Sequence, residues 1–122
     1  MTADAISLFR PHELLAAGAI APVPVPLGQP VSQVRSAAIP GVGASRHGVW
    51  HCTPGAWRRQ VMQAEFCYFL SGEAIFHPDG GEPIHICGGQ AAYFPPESMG
   101  TWEILRESEK IFIVFDEGQG AP

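Results

Sequence analysis

The chain is short of charge, and of positive charge in particular: 7 Lys and Arg stand against 12 Asp and Glu in 122 residues, with no basic run. A nucleic-acid binder needs cations for phosphate, so no such partner is expected. Cysteine is scarce as well. Cys52, Cys67 and Cys87 are odd in number and hold no C-x-x-C pair, which argues against a disulfide framework and against a zinc knuckle. Each lies in an apolar, strand-like setting, where a thiol behaves as a small hydrophobe. No apolar run approaches the ~20 residues of a membrane-spanning helix. The N-terminus lacks an early Lys/Arg cluster and a long apolar stretch behind it, so no signal peptide is expected either. The expectation is a cytoplasmic protein with no membrane partner.

What the chain does have is turns. With 14 Gly, 12 Pro and 46% hydrophobic residues, it reads as one domain of many short strands, large enough to bury a core without disulfides or metal. Residues 5–18 suggest one short helix, with Pro11 in its first turn and Gly18 closing it. In Ala21-Pro-Val-Pro-Val-Pro-Leu-Gly-Gln-Pro30 alternate prolines fix φ and remove backbone donors, so this stretch is an extended arm laid on the surface. The division expected is an arm over 1–30, a barrel over 31–118 and a tail over 119–122. Within the barrel, Pro54-Gly55 and Asp79-Gly80-Gly81 read as hairpin turns, and Gly72 as another turn of the barrel. Lys110-Ile-Phe-Ile-Val-Phe115 and Phe66 to Leu70 are apolar on both faces, and both faces of such strands must be covered. Two such strands predict a homodimer, because an exposed apolar sheet aggregates.

Gly48-Val-Trp50-x-Cys52-Thr-Pro54-Gly55, Glu65-x6-Gly72-Glu73, Asp79-Gly-Gly, Gly89-x5-Pro95 and Gly100-Thr-Trp-Glu103 occur in an order that resembles the cupin superfamily. Within it, the chain is similar to the small group that includes the cupin domain of ureidoglycine aminohydrolase. The resemblance covers roughly residues 45–115. It implies an all-β double-stranded β-helix, or jelly-roll barrel, often assembled as a dimer. Metal-binding relatives carry H-x-H-x3–4-E-x6-G and a later histidine three residues after P-x-G. Counting back from Glu65 puts the first two histidine places at Arg59 and Val61, or at Arg58 and Gln60; counting forward from Gly55 gives Val61 and Gln63. Alternation with Trp57 favours Arg59 pointing inward and Arg58 outward. Pro95-x-Glu97 stands for P-x-G, and Gly100 for the third histidine. Of four usual ligands only Glu65 remains. The expectation is therefore no metal cofactor, with a divalent ion such as Mn or Zn on non-family ligands as the alternative.

Glu65 on an apolar strand needs a partner if it is buried. Arg59 is the natural one, across a hairpin around residues 62–64. Two readings stay open: a pocket in which Glu65 and Arg59 hold the polar or carboxylate end of a small molecule, or an ion pair that only supports the fold. Cys67 shares the face of Glu65 by strand parity, which makes it a candidate ligand contact in the mouth, or a nucleophile if a base lowered its pKa, with an inert core thiol as the favoured reading. Tyr93, Trp102 and Trp57 are candidate pocket walls for a planar ligand, although aromatics in small barrels more often fill cores. His77 and His85 flank the Asp79 turn, and two histidines close together across it would offer a surface ion two ligands, although solvated side chains are the favoured reading; His47 and His51 share a strand face. The primary reading is a metal-free cupin binding a small polar metabolite. A ureide-type hydrolase or lyase with Glu65 as general base is the second, and a structural or regulatory dimer with a plugged barrel the third.

Overall fold

A computed structural model describes residues 6–39 and 46–116; the expected tail over 119–122 lies outside them. The elements are helix α1 (Pro11–Ala16) and strands β1 (Ile20–Pro22), β2 (Gln33–Ala38), β3 (Arg46–Cys52), β4 (Gly55–Arg58), β5 (Glu65–Pro78), β6 (Ile84–Cys87), β7 (Ala91–Phe94) and β8 (Gly100–Val114). The helix is shorter than expected. Pro11 opens it, and the Gly18 N–H donates to the Leu15 carbonyl as it ends.

Two long strands organise the molecule. The second half of β8 pairs with β3 on one side and with the first half of β5 on the other, and β7 extends that layer beyond β5. The first half of β8 pairs with β4 and with the second half of β5, which carries β6. Each long strand thus crosses from one antiparallel layer to the other, which is the jelly-roll arrangement. In β5 the crossing is a series of register shifts between Phe69 and Ala74. Gly72 sits there with φ of 99°, and a Cβ on it would collide with the Ser108 backbone and hydroxyl. Ser108 is fully buried; its hydroxyl donates to the Arg106 carbonyl and accepts from the Glu73 N–H. So Gly72 does not end a strand, as a turn would. It bends one, at a place where an L side chain has neither the backbone angle nor the room.

Two other turn assignments change. Pro54-Gly55 joins β3 to β4, but both of these pair with β8 and not with each other, so no hairpin closes there. Asp79-Gly80-Gly81 does join a hairpin, β5 to β6. Among the described residues no helix is long and apolar enough to cross a membrane.

The core lies between the layers. Trp102 is at its centre, with ring centroids of Trp50, Trp57, Phe69, Phe76 and Phe94 all within 6.5 Å. The Pro-rich arm closes one end of this core on its own barrel. Pro22, Pro24 and Pro26 alternate with residues that make the backbone bonds: the Val23 and Leu27 N–H groups donate to Ser32 and Ala56, and the Val25 carbonyl accepts from Arg58. The prolines fall where no donor is used, so the arm joins the sheet edge and buries Val23.

Candidate functional site

The arm forms the rim of a cavity of about 400 Å³ whose floor is charged. Trp50, Trp57 and Trp102 wall it, and Arg59, Glu65 and Lys110 lie at its base. Strand alternation puts them there. On β5, Glu65, Cys67 and Phe69 face inward and Phe66, Tyr68 and Leu70 outward; on β8, Ser108, Lys110 and Val114 are buried. Arg59 follows Trp57 by two residues and is buried, whereas Arg58 turns out to pair with Asp79 at 2.7 Å.

Glu65 is 3% exposed and holds both cations, with 2.9 Å from Oε1 to Arg59 Nη2 and 2.9 Å from Oε2 to Lys110 Nζ. Burial pushes its carboxyl up, but Lys110 and Arg59 together outweigh burial and hold it below the usual range. It is therefore a bound carboxylate rather than a proton acceptor waiting for a substrate. Arg59 is further fixed by donating to the Val61 and Ser98 carbonyls, and its guanidinium lies 4.4 Å from the Phe94 ring centroid. The Ser98 carbonyl is presented by a tight loop in which Glu97, standing at the glycine place of the cupin pattern, adopts φ of 62°. Lys110 lies 4.6 Å from the Trp50 ring and 5.1 Å from the Trp102 ring. Two cations against one carboxylate leave a surplus positive charge in an aromatic-walled cavity.

Arg59 and Glu65 meet as expected, but not across a hairpin. Both β4 and β5 pair with β8, and residues 59–64 cross between the layers, so the guanidinium reaches Glu65 through the barrel interior. Trp102 lines the cavity while filling the core. Cys67 does not join the site. It is fully buried in the apolar cluster, where burial raises its pKa, and it does not border the cavity. Burial also pushes the Cys52 thiol up, to about 11. Tyr93 does not join either: it is 60% exposed on the outer face of β7, because Phe94 takes the inward place beside it. His77 and His85 each meet a carboxylate instead of one another, Glu103 at 2.9 Å and Glu73 at 2.6 Å. Another depression, of about 500 Å³, lies beside α1, but its histidines are partly or fully open to solvent and paired with Glu107 and Glu109.

Lys110 is the site residue that the sequence reading missed. Its parity with Ser108, Phe112 and Val114 was the available signal. A lysine at the edge of an apolar run reads as the end of a strand, whereas β8 extends ten residues further back, to Gly100.

The donor set does not fit the divalent metal that cupins commonly hold. Glu65 is the sole carboxylate, imidazole or thiolate on the cavity floor among the described residues, and each of its oxygens is already bonded to a cation. An M²⁺ ion there faces an ammonium and a guanidinium with one ligand to offset them. A histidine at Gly100 is likewise blocked, since a Cβ there collides with the Phe76 ring and the His77 carbonyl.

Comparison with curated proteins gives no match. Among solved structures the chain is similar to a putative ethanolamine utilization protein Q (EutQ) from Salmonella typhimurium LT2, with a TM-score of 0.59 and 14% identity over 67% of this chain and 68% of that one. It is similar to the EutQ protein of Clostridium difficile, with a TM-score of 0.62 and 13% identity over 69% of this chain, and spans 63% of that protein's chain. A protein of unknown function from Rhizobium leguminosarum bv. viciae 3841 aligns over 93% of this chain and 100% of its own, with a TM-score of 0.68 and 13% identity. At such identities the likeness shows the fold. The sequence of residues 41–112, more than half of the chain, matches the EutQ-like cupin domain, and the chain belongs to that cupin family.

Proposed function

We propose that this cupin binds a small carboxylate-bearing metabolite in the barrel mouth without a metal in the cupin position. The observation that carries this reading is Lys110, a second buried cation that shares the single carboxylate of Glu65 with Arg59, so that two positive charges face one negative. A ligand carboxylate supplies the missing negative charge, and Arg46 on the rim adds attraction at the entrance. The tryptophan walls suit a flat or apolar remainder. Both oxygens of Glu65 are engaged, so a role as general base in ureide hydrolysis is disfavoured. The resemblance to the ureidoglycine aminohydrolase cupin selects ureides as compounds to test first and supplies no residue of its own.

A thermal-shift screen against small ureides, keto acids and neutral sugars tests the reading. Carboxylate-bearing compounds are expected to raise Tm and neutral sugars to leave it unchanged. Lys110→Met is expected to abolish every hit. Hits that survive Lys110→Met, or hits confined to neutral compounds, would place the site elsewhere.

We also propose that the assembled form is a homodimer. Phe66 stands opposite Tyr93 and Ile113, and Tyr68 opposite Ile111, so these side chains share the outer face of one layer. Phe66, Tyr68 and Tyr93 are 41%, 40% and 60% exposed, a contiguous apolar patch suited to a second copy. Sedimentation is expected to give a dimer that Phe66→Glu with Tyr68→Glu converts to monomer; a monomeric parent protein would contradict the assembly.

A further inference from the structure

Outside the barrel, on the outer face of the layer in which the second half of β5 pairs with β6, a second set of chemical groups converges. β5 and β6 are in a register that sets Glu73 directly opposite Cys87 and Ile75 opposite His85. Glu73, His85 and Cys87 therefore project from one face, since the inward place on β6 belongs to the buried Ile86. One nitrogen, His85 Nε2, is the meeting point: it lies 2.6 Å from Glu73 Oε2 and 3.7 Å from Cys87 Sγ. All three donor atoms lie within 4.8 Å of one another.

We propose that Glu73, His85 and Cys87 form a binding site for a borderline-soft divalent ion of the zinc type, separate from the cupin mouth. Carboxylate, imidazole and thiolate make up a donor set that zinc accepts and that magnesium and calcium do not favour. The geometry is close to what a tetrahedral ion needs. Bond lengths of about 2.0 Å to N and O and about 2.3 Å to S put the N···O and N···S edges near 3.3 and 3.5 Å. The sulfur edge is nearly at that length already, and the ion takes the place of the proton between imidazole and carboxylate. His85, half exposed, has the freedom for the remaining small movement.

The surroundings support three ligands and an open fourth position. Arg106 Nε holds the other Glu73 oxygen, Oε1, at 3.2 Å, which orients Oε2 toward the histidine. The Gln90 side-chain oxygen accepts the Cys87 N–H at 2.8 Å and pins the end of β6. Carboxylate and thiolate together neutralise a dication, with Arg106 as the one Lys or Arg side chain paired to the cluster among the described residues. Cys87 is also the one partly exposed thiol of the three, whereas Cys52 and Cys67 are sealed in the core. Bound there, an ion ties β6 to the long strand β5 and leaves one coordination position to solvent.

Cobalt(II) titration of reduced, tag-free protein tests the site. One Co²⁺ per chain is expected, with a thiolate-to-cobalt charge-transfer band that Zn²⁺ displaces. Cys87→Ser is expected to abolish the band, His85→Gln to weaken binding at least about tenfold, and Cys67→Ser to leave the band unchanged. Zn²⁺ is expected to raise the Tm of the parent protein and not of Cys87→Ser. The proposal is overturned by cobalt binding without a thiolate band, by a band that persists in Cys87→Ser, or by no uptake. None of these readouts depends on the mouth, because Lys110→Met is expected to leave the cobalt spectrum intact.

Discussion

Replacing Glu65 with Leu is expected to lower folding stability by about 3–5 kcal/mol, read as a fall in the urea midpoint at unchanged slope. The loss comes from what the mutation leaves behind. Arg59 keeps two carbonyl acceptors, but Lys110 loses the one acceptor it is bonded to among the described residues and retains the faces of Trp50 and Trp102. Cation–π attraction of up to ~2 kcal/mol does not offset an ammonium buried without a carboxylate. Glu65→Gln keeps the shape and is expected to fail in the same direction, because an amide has one acceptor oxygen and its NH2 must face a cation. Against a total stability of about 5–15 kcal/mol, either change removes a large share. Acid should reproduce it in the parent protein. The Glu65 carboxyl is held below its unfolded value, so its contribution is complete above about pH 4.3 and is lost as pH falls from there through the lower folded value. The stability gap between the parent and Glu65→Gln is therefore expected to be constant at neutral pH and to close in acid. A gap that persists at low pH would mean that packing, not charge, explains the mutant.

The site was half legible in the sequence for reasons that individual residues make plain. Period-two alternation turned Arg59 inward and Arg58 outward, and the structure agrees, because parity survives over β4 and one residue beyond it, where the Arg59 N–H still donates to the Gly100 carbonyl. The arm was legible from its prolines, since a chain with alternate donors removed has few conformations available. Parity failed over longer spans. β5 changes face at the bulge near Gly72, so Glu73 and His77 point outward although they keep the odd numbering of Glu65 and Cys67. No count along the chain locates such a shift, which depends on Ser108 arriving from β8. The outer cluster was missed for the same reason: a Glu73–Cys87 contact exists only once the register of β5 on β6 is set. Tyr93 and Cys67 were assigned to the mouth from residue type and parity, and what separates them from it is depth and face, which strand assignment alone does not carry.

The buried charges serve either the fold or a ligand, and a triple replacement, Arg59→Met with Glu65→Leu and Lys110→Met, separates the two. Removing all three charges together removes the desolvation cost along with the attraction. The triple variant is therefore expected to recover most of the 3–5 kcal/mol lost by Glu65→Leu alone, and to match or exceed the parent by about 1–4 kcal/mol if the new side chains pack. The packing prospects are good, because methionine fills irregular space and its sulfur interacts favourably with aromatic rings such as Trp50, Trp102 and Phe94, in place of the cation–π contacts. The same variant is expected to show no Tm response to any carboxylate-bearing compound. Stable folding with binding lost would mean that the charged floor is kept for what it holds, since an apolar floor supports the barrel at least as well. Stable folding with binding retained would move the ligand to another surface. Failure to recover stability, measured as a non-additive loss across single, double and triple variants, would instead assign Arg59, Glu65 and Lys110 to the architecture of the mouth.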